Sequence, residues 1–139
     1  MAKILIPVDG SESSKRAVQF VLKRTRERPD VHLLNAQLPI RGDEVMVGAV
    51  KEAIEQIHAS AAEQALRPAQ ALLEAAGVQY TKRTVVGDIA ESIAAYAKEQ
   101  RVDEIVMGTR GLSAIKNLVL GSVASKVIHL VETPVTLIK

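Results

Sequence analysis

Short apolar runs alternate with amphipathic stretches along all 139 residues of this chain. Residues 3–8 (KILIPV), 31–38 (VHLLNAQL), 78–86 (VQYTKRTVV), 103–107 (DEIVM) and 134–138 (PVTLI) are short and lack helical spacing. They read as strands. Helical patterns fill the gaps, over 13–26, 49–76, 88–100 and 122–130. Parallel strands need long crossovers, and crossover helices cover the sheet they connect. The alternation therefore predicts an α/β fold: an open, doubly wound, five-stranded parallel sheet with helices on both faces. Residues 1–139 are expected to form one domain of this kind.

Polarity sets the strand order. The first, second and fourth runs are the most apolar and belong at the centre. The third carries Lys82 and Arg83, which suits an edge. The order 3-2-1-4-5 satisfies both conditions, whereas 2-1-3-4-5 would bury the third strand. Pro7 lacks an N–H and should end its strand. The first helix shows Val18, Val21, Leu22 and Thr25 on one face. The long second pattern has an apolar stripe of Val50, Ala53, Ile54, Ile57 and Ala61, then one of Leu66, Ala69, Leu72, Leu73 and Ala76. Pro68 should kink or split it, and Gly77 is a plausible C-cap. Asp88 and Glu91 have the spacing of a capping box.

In the order 3-2-1-4-5 the chain reverses direction between strands one and four. Ligands of such sheets bind outside the carboxyl ends of the strands at that point. Two segments meet there: Asp9-Gly10, and the stretch Gly108-Thr109-Arg110-Gly111, nine residues, Gly121-Ser122. Glycines allow close backbone approach and positive φ. A helix N-terminus presents unpaired N–H groups and partial positive charge, a setting for phosphate. Ser122 is expected at the N-cap. The apolar residues Ile115, Leu118, Val119 and Leu120 suggest a loop that packs down. Two readings stand side by side: an anion site, or a βα loop with glycines for tight turns and a serine cap. Asp9 is likewise either an acceptor for ribose hydroxyls or an Asx residue turning the chain before Gly10.

Composition narrows the classes of function. Aromatics are limited to Phe20, Tyr80 and Tyr96, which argues against single-strand nucleic-acid recognition by stacking. The net charge is only +2, and the basic run Lys23 to Arg28 closes a helix, where cations complement the dipole. Nucleic acid is therefore an improbable partner. There is no cysteine, hence neither disulfide nor thiolate chemistry. No signal-peptide pattern and no 18-residue apolar span is seen, so no membrane association and a cytoplasmic location are expected.

These residues resemble the universal stress protein family over essentially the full length. Ile6-Pro7-Val8-Asp9-Gly10-Ser11, the Val86-Gly87 turn, Gly108-x2-Gly111-x9-Gly121-Ser122 and Pro134-Val135 carry the resemblance. The glycine spacing is similar to that of the family's ATP-binding branch; another branch lacks it and does not bind ATP. The resemblance implies ATP, ADP or AMP as ligand, with Mg²⁺ entering through the phosphates. It places Asp9 on the ribose, with Pro7 and Val8 beside it, and adenine against backbone groups near Ala36. Val86 and Gly87 would line the cleft. Gly108, Gly111, Gly121 and Ser122 would hold the phosphates, and Met107, Thr109, Arg110 and Val123 are counted with them in the nucleotide site. Ala36 is smaller than the Val or Ile frequent in the family, which would loosen adenine packing.

The reading favours a nucleotide-dependent regulatory or signalling module in stress response, with slow or no hydrolysis. A weak ATPase or autophosphorylating enzyme is one alternative, and a nucleotide-free interaction module another. The chain has no GxxxxGK[ST] run and no catalytic arrangement that spacing alone supports. His32, His58 and His129 read as surface or helix residues rather than ligands, and Arg110 and Lys116 either neutralise phosphate or face water. The last strand, Val135 to Ile138, is apolar yet falls at an edge. Exposed apolar edges invite pairing, and the family resemblance also implies a homodimer joined there.

Overall fold

The computed structural model describes residues 1–24, 26–40, 48–111 and 120–139. Nine elements alternate as expected. They are β1 (Lys3–Pro7), α1 (Glu12–Arg24), β2 (Asp30–Gln37), α2 (Gly48–Ala75), β3 (Tyr80–Val86), α3 (Ile89–Glu99), β4 (Glu104–Gly108), α4 (Ser122–Leu130) and β5 (Val135–Ile138). All strand pairs are parallel, in the order β3-β2-β1-β4-β5. Ile4 lies between Val31 and Glu104, the register that brings the ends of β1 and β4 side by side.

Alternation along each strand divides the core into two layers. Ile4, Ile6, Val31, Leu33 and Val106 pack with Ala17, Val18 and Val21 of α1 and Leu66, Ala69 and Leu73 of α2. Leu5, Leu34, Ile105 and Met107 pack with Ile93 and Tyr96 of α3 and Ala124 and Val127 of α4. A buried Leu or Ile contributes about 1.5–3 kcal/mol, while a surface ion pair contributes about 1 kcal/mol or less. The two layers therefore outweigh the ion pairs in holding the sheet. β3 follows its sequence: Thr81, Lys82, Arg83 and Thr84 are all exposed at the sheet's edge.

Local signals set the helix ends. Ser11 caps α1, its Oγ accepting from Ser14 N at 3.1 Å. Asp88 caps α3 by accepting from Glu91 N at 2.9 Å. That main-chain bond, then Lys126, holds the Asp88 carboxyl below its usual range. Glu91 lies 3.7 Å from Lys126 Nζ. After α2, Gly77 takes φ of 69° and Val78 N returns to Leu73 O, a helix stop that glycine permits.

Pro68 lies inside α2, so of the two expected outcomes the split does not occur. Two expectations need correction. The first apolar stripe of α2 reaches the core only at Ile54: Val50 and Ile57 are 54% and 57% exposed. The inward row is Ile54, His58, Ala62, Leu66, Ala69 and Leu73, because this half of the helix overhangs a cleft instead of the sheet's centre. His32 is neither a surface nor a helix residue. It is buried on β2, with Nδ1 2.6 Å from Tyr96 Oη and Nε2 3.3 Å from Asp30. Burial pushes the Tyr96 hydroxyl up. Thr25, Lys116 and the residues Ile115, Leu118 and Val119, expected to pack down, lie outside the described residues.

At the base of the sheet, Arg24 clasps Glu104 with two bonds of 2.6 and 2.9 Å, and Thr136 donates to the same carboxylate. The Arg24 bond is the main reason the Glu104 carboxyl lies below its usual range, against the opposing effect of burial. This joins α1, β4 and β5 at one end and leaves the carboxyl ends of the strands for the site. Among the described residues, no helix is long and apolar enough to cross a membrane.

Candidate functional site

A cleft of about 910 Å³ opens at the carboxyl ends of β1, β2 and β4. One side starts from β1. The strand ends at Pro7, and Val8 N bonds Leu34 O at 2.8 Å. Asp9 then turns the chain, its Oδ1 accepting from Ser11 N at 2.9 Å. Gly10 takes φ of 86°, and a Cβ there would stand 3.3 Å from Ala65 Cα. Glycine is required twice over, by conformation and by the close passage of α2.

The opposite side is the glycine stretch, whose glycines do different things. A Cβ at Gly108 would collide with Ser13 of α1, so this glycine serves the packing of α1 on β4. At Gly111 a Cβ would stand 3.3 Å from Asp9 Oδ2, so the glycine allows Asp9 and the loop to face each other. At Gly121 it would stand 3.0 Å from Thr109 O, to which Gly121 N donates. This pair ties the end of β4 to the start of α4.

Ser122 is not the N-cap. Gly121 holds that place, with φ −72° and ψ 163°, and makes no side-chain cap bond. The extended conformation begins one residue earlier than the serine suggested. The first N–H groups of α4, which have no partner within their own helix, thus receive no cap from this residue. Beside them, Thr109 is buried at 6% exposure and its Oγ1 has no hydrogen-bond partner among the described residues. A buried hydroxyl left unpaired costs about 1–3 kcal/mol. Arg110 is exposed, and its N–H reaches Ser13 Oγ at 3.4 Å.

Of the residues singled out from sequence, the cleft gathers Pro7, Val8, Asp9, Ala36 and Met107. It also gathers Gly108 to Gly111, Gly121, Ser122 and Val123. Val86 and Gly87 do not line it. Val86 borders a separate groove between α2 and β3, because β3 is the outermost strand. Gly87 is one hydrogen bond away, donating to Gln37 O at 2.7 Å.

Sequence reasoning missed the third wall. Ile57, Ala61 and Ala65 of α2 line the cleft together with Ile40. Polar residues fasten this wall to β2. Gln37 Nε2 donates to His58 O at 2.9 Å, and His58 Nε2 lies 3.3 Å from Leu38 O. The signals were present but weak. Asn35 and Gln37 flank Ala36 at strand spacing, and His58 shares the four-residue rhythm of Ile54, Ala62 and Leu66.

The universal stress protein family model matches residues 1–139. The chain belongs to the universal stress protein family. Among relatives, universal stress protein YxiE of Bacillus subtilis is 31% identical, over 99% of this chain and 98% of its own length. The solved structure of MJ0577, a universal stress protein of Methanocaldococcus jannaschii, superposes with a TM-score of 0.80 at 30% identity. The match covers 99% of this chain and 95% of that one. A universal stress protein solved in complex with cAMP superposes with a TM-score of 0.65 at 27% identity, covering 99% and 96%. The five-stranded order 3-2-1-4-5 is thus the universal stress protein fold.

Proposed function

We propose that this chain is an adenine-nucleotide-binding universal stress protein of the ATP-binding branch, a cytoplasmic regulatory module that holds nucleotide rather than turning it over. One observation carries the reading: Asp9 Oδ2 stands beside Gly111, 3.3 Å from where a Cβ would lie, and both line one cleft with Thr109, whose hydroxyl has no partner among the described residues. Asp9 has one carboxylate oxygen committed to Ser11 N and the other turned toward the glycine stretch. The turn uses Oδ1, which leaves Oδ2 for a ribose hydroxyl.

The residues fit a nucleotide. The N–H groups of Ser122 and Val123 lie in the first turn of α4 and suit phosphate oxygens. The Thr109 hydroxyl adds a donor, and Arg110 a positive charge. Ala36 at the end of β2 offers main-chain groups to the base. Asp9 is the single carboxylate lining the cleft among the described residues, and it is already half engaged. Binding is therefore the role the site supports best. Among the described residues no three His, Asp or Glu side chains gather as a metal site. Mg²⁺ would accordingly arrive on the phosphates, neutralising their charge. The relative solved with cAMP supports the adenine class. A homodimer joined along β5 completes the proposal.

Calorimetric titration with ATP, ADP, AMP and cAMP tests it, on the native protein and on Gly121→Val. Saturable binding is expected in the first and its loss in the second. ATP at 100 times its dissociation constant should also add about 2.7 kcal/mol of stability. No heat of binding and no thermal shift at millimolar ATP would overturn the reading.

A further inference from the structure

The cleft contains a chain of side-chain amides whose orientation is forced at both ends. Asn35 is buried on β2, and its Nδ2 donates to Val8 O at 2.8 Å. Its Oδ1 accepts from Gln37 Nε2 at 2.9 Å. The same Gln37 nitrogen donates to His58 O, also at 2.9 Å. Val8 O and His58 O are main-chain carbonyls and can only accept. Neither amide can turn over without setting oxygen against oxygen. Both hydrogens of the Gln37 amide are therefore used, and Oε1 is the polar atom its side chain has left among the described residues. Gln37 lines the cleft beside Ala36.

We infer that Gln37 is the residue that selects the purine, its locked amide offering an acceptor to a 6-amino group and refusing a 6-oxo group. This deepens the proposed function and rests on nucleotide binding in the cleft. Adenine carries a donor at C6. Hypoxanthine and guanine carry an acceptor there, which would meet Oε1 with like polarity. A free glutamine could flip its amide and greet either base, but this one is held by β1 through Asn35 and by α2 through His58. Discrimination comes as much from the buried neighbours as from the atom that meets the ligand.

The test is calorimetry with ATP, inosine triphosphate and the triphosphate of purine riboside, which has hydrogen at C6. Native protein should prefer ATP over each of the other two by about tenfold or more. Gln37→Met, which keeps the length but removes the acceptor and the locking bonds, should narrow both ratios to within about threefold. Native protein that binds all three within about threefold overturns the inference while nucleotide binding stands, as does Gln37→Met with undiminished preference. Native protein that binds none of them overturns the proposed function itself, and this inference with it. If Gln37→Met gives no cooperative melt, Gln37→Leu takes its place, with the same narrowing expected and an undiminished preference overturning the inference.

Discussion

Ser13 occupies the space that any side chain at Gly108 would need. An ideal Cβ at Gly108 would run into Ser13 Oγ and stand 2.7 and 2.8 Å from Ser13 Cβ and its carbonyl carbon. Gly108 thus lets α1 lie down on β4 at the point where the cleft begins. Gly108→Ala should lower stability by about 3 kcal/mol, since part of the obstacle is backbone. Ser13→Ala in the same chain should not restore it, because Cβ and the carbonyl carbon remain. Urea unfolding midpoints check both; full rescue by Ser13→Ala would show that the hydroxyl alone was in the way.

The orphaned hydroxyl of Thr109 makes an opposite prediction for stability and binding. Valine matches threonine in shape and removes the unpaired polar atom. Thr109→Val should leave the ligand-free protein as stable as before, or up to about 1 kcal/mol more so. Its nucleotide affinity should fall by about tenfold. Melting with and without ATP separates the two effects. A variant less stable without ligand, yet shifted equally by ATP, would rule out a hydroxyl kept for the ligand.

Acid sensitivity should trace to Glu104. Its carboxyl lies below the usual range, chiefly through the Arg24 bond. The folded protein therefore holds that proton less tightly than the unfolded chain does. The stabilisation is complete above the unfolded value of about 4.3 and fades as pH falls through it toward the folded value. Arg24 is 38% exposed, so solvent screening reduces the contribution. Glu104→Gln should cost about 1 kcal/mol at pH 7 and much less at pH 3. Urea midpoints at the two values check this; an equal loss at both would assign the effect to packing.

Strand β5 should carry self-association. Ile105 N bonds Pro134 O and Thr109 N bonds Ile138 O. By parallel-strand alternation, the main-chain groups of Val135 and Leu137 then face outward. Val135→Lys should convert a dimer into a species near the chain mass of 15.0 kDa by light scattering. An unchanged dimer mass would move the interface elsewhere.

The sheet was legible because two polar residues on one short strand settle where it can lie. Lys82 and Arg83 exclude β3 from the centre, and with β1 and β4 mostly apolar and β2 free of Lys and Arg few orders remain. The glycine stretch could be located but not resolved into roles. A glycine needed for a ligand and one needed for a neighbouring helix look alike in sequence, and Gly108 is separated from Gly111 only by what stands opposite: Ser13 in one case, Asp9 in the other. Ser122 misled because a serine after a glycine resembles a cap, whereas the backbone turned extended at Gly121 itself. The α2 wall escaped for a different reason. Its apolar spacing is that of a core helix, and spacing does not tell a cleft from a core.

The two edges of the sheet differ in kind, and this limits how far it can grow. β3 presents Lys82 and Arg83, while β5 presents an apolar strand. Were two β5 edges to join about a twofold axis, as proposed, both remaining edges would be copies of β3. Like charges would then confront any third molecule and close the assembly. A sheet open at both sides would in that way stop at two chains instead of running on into a fibre.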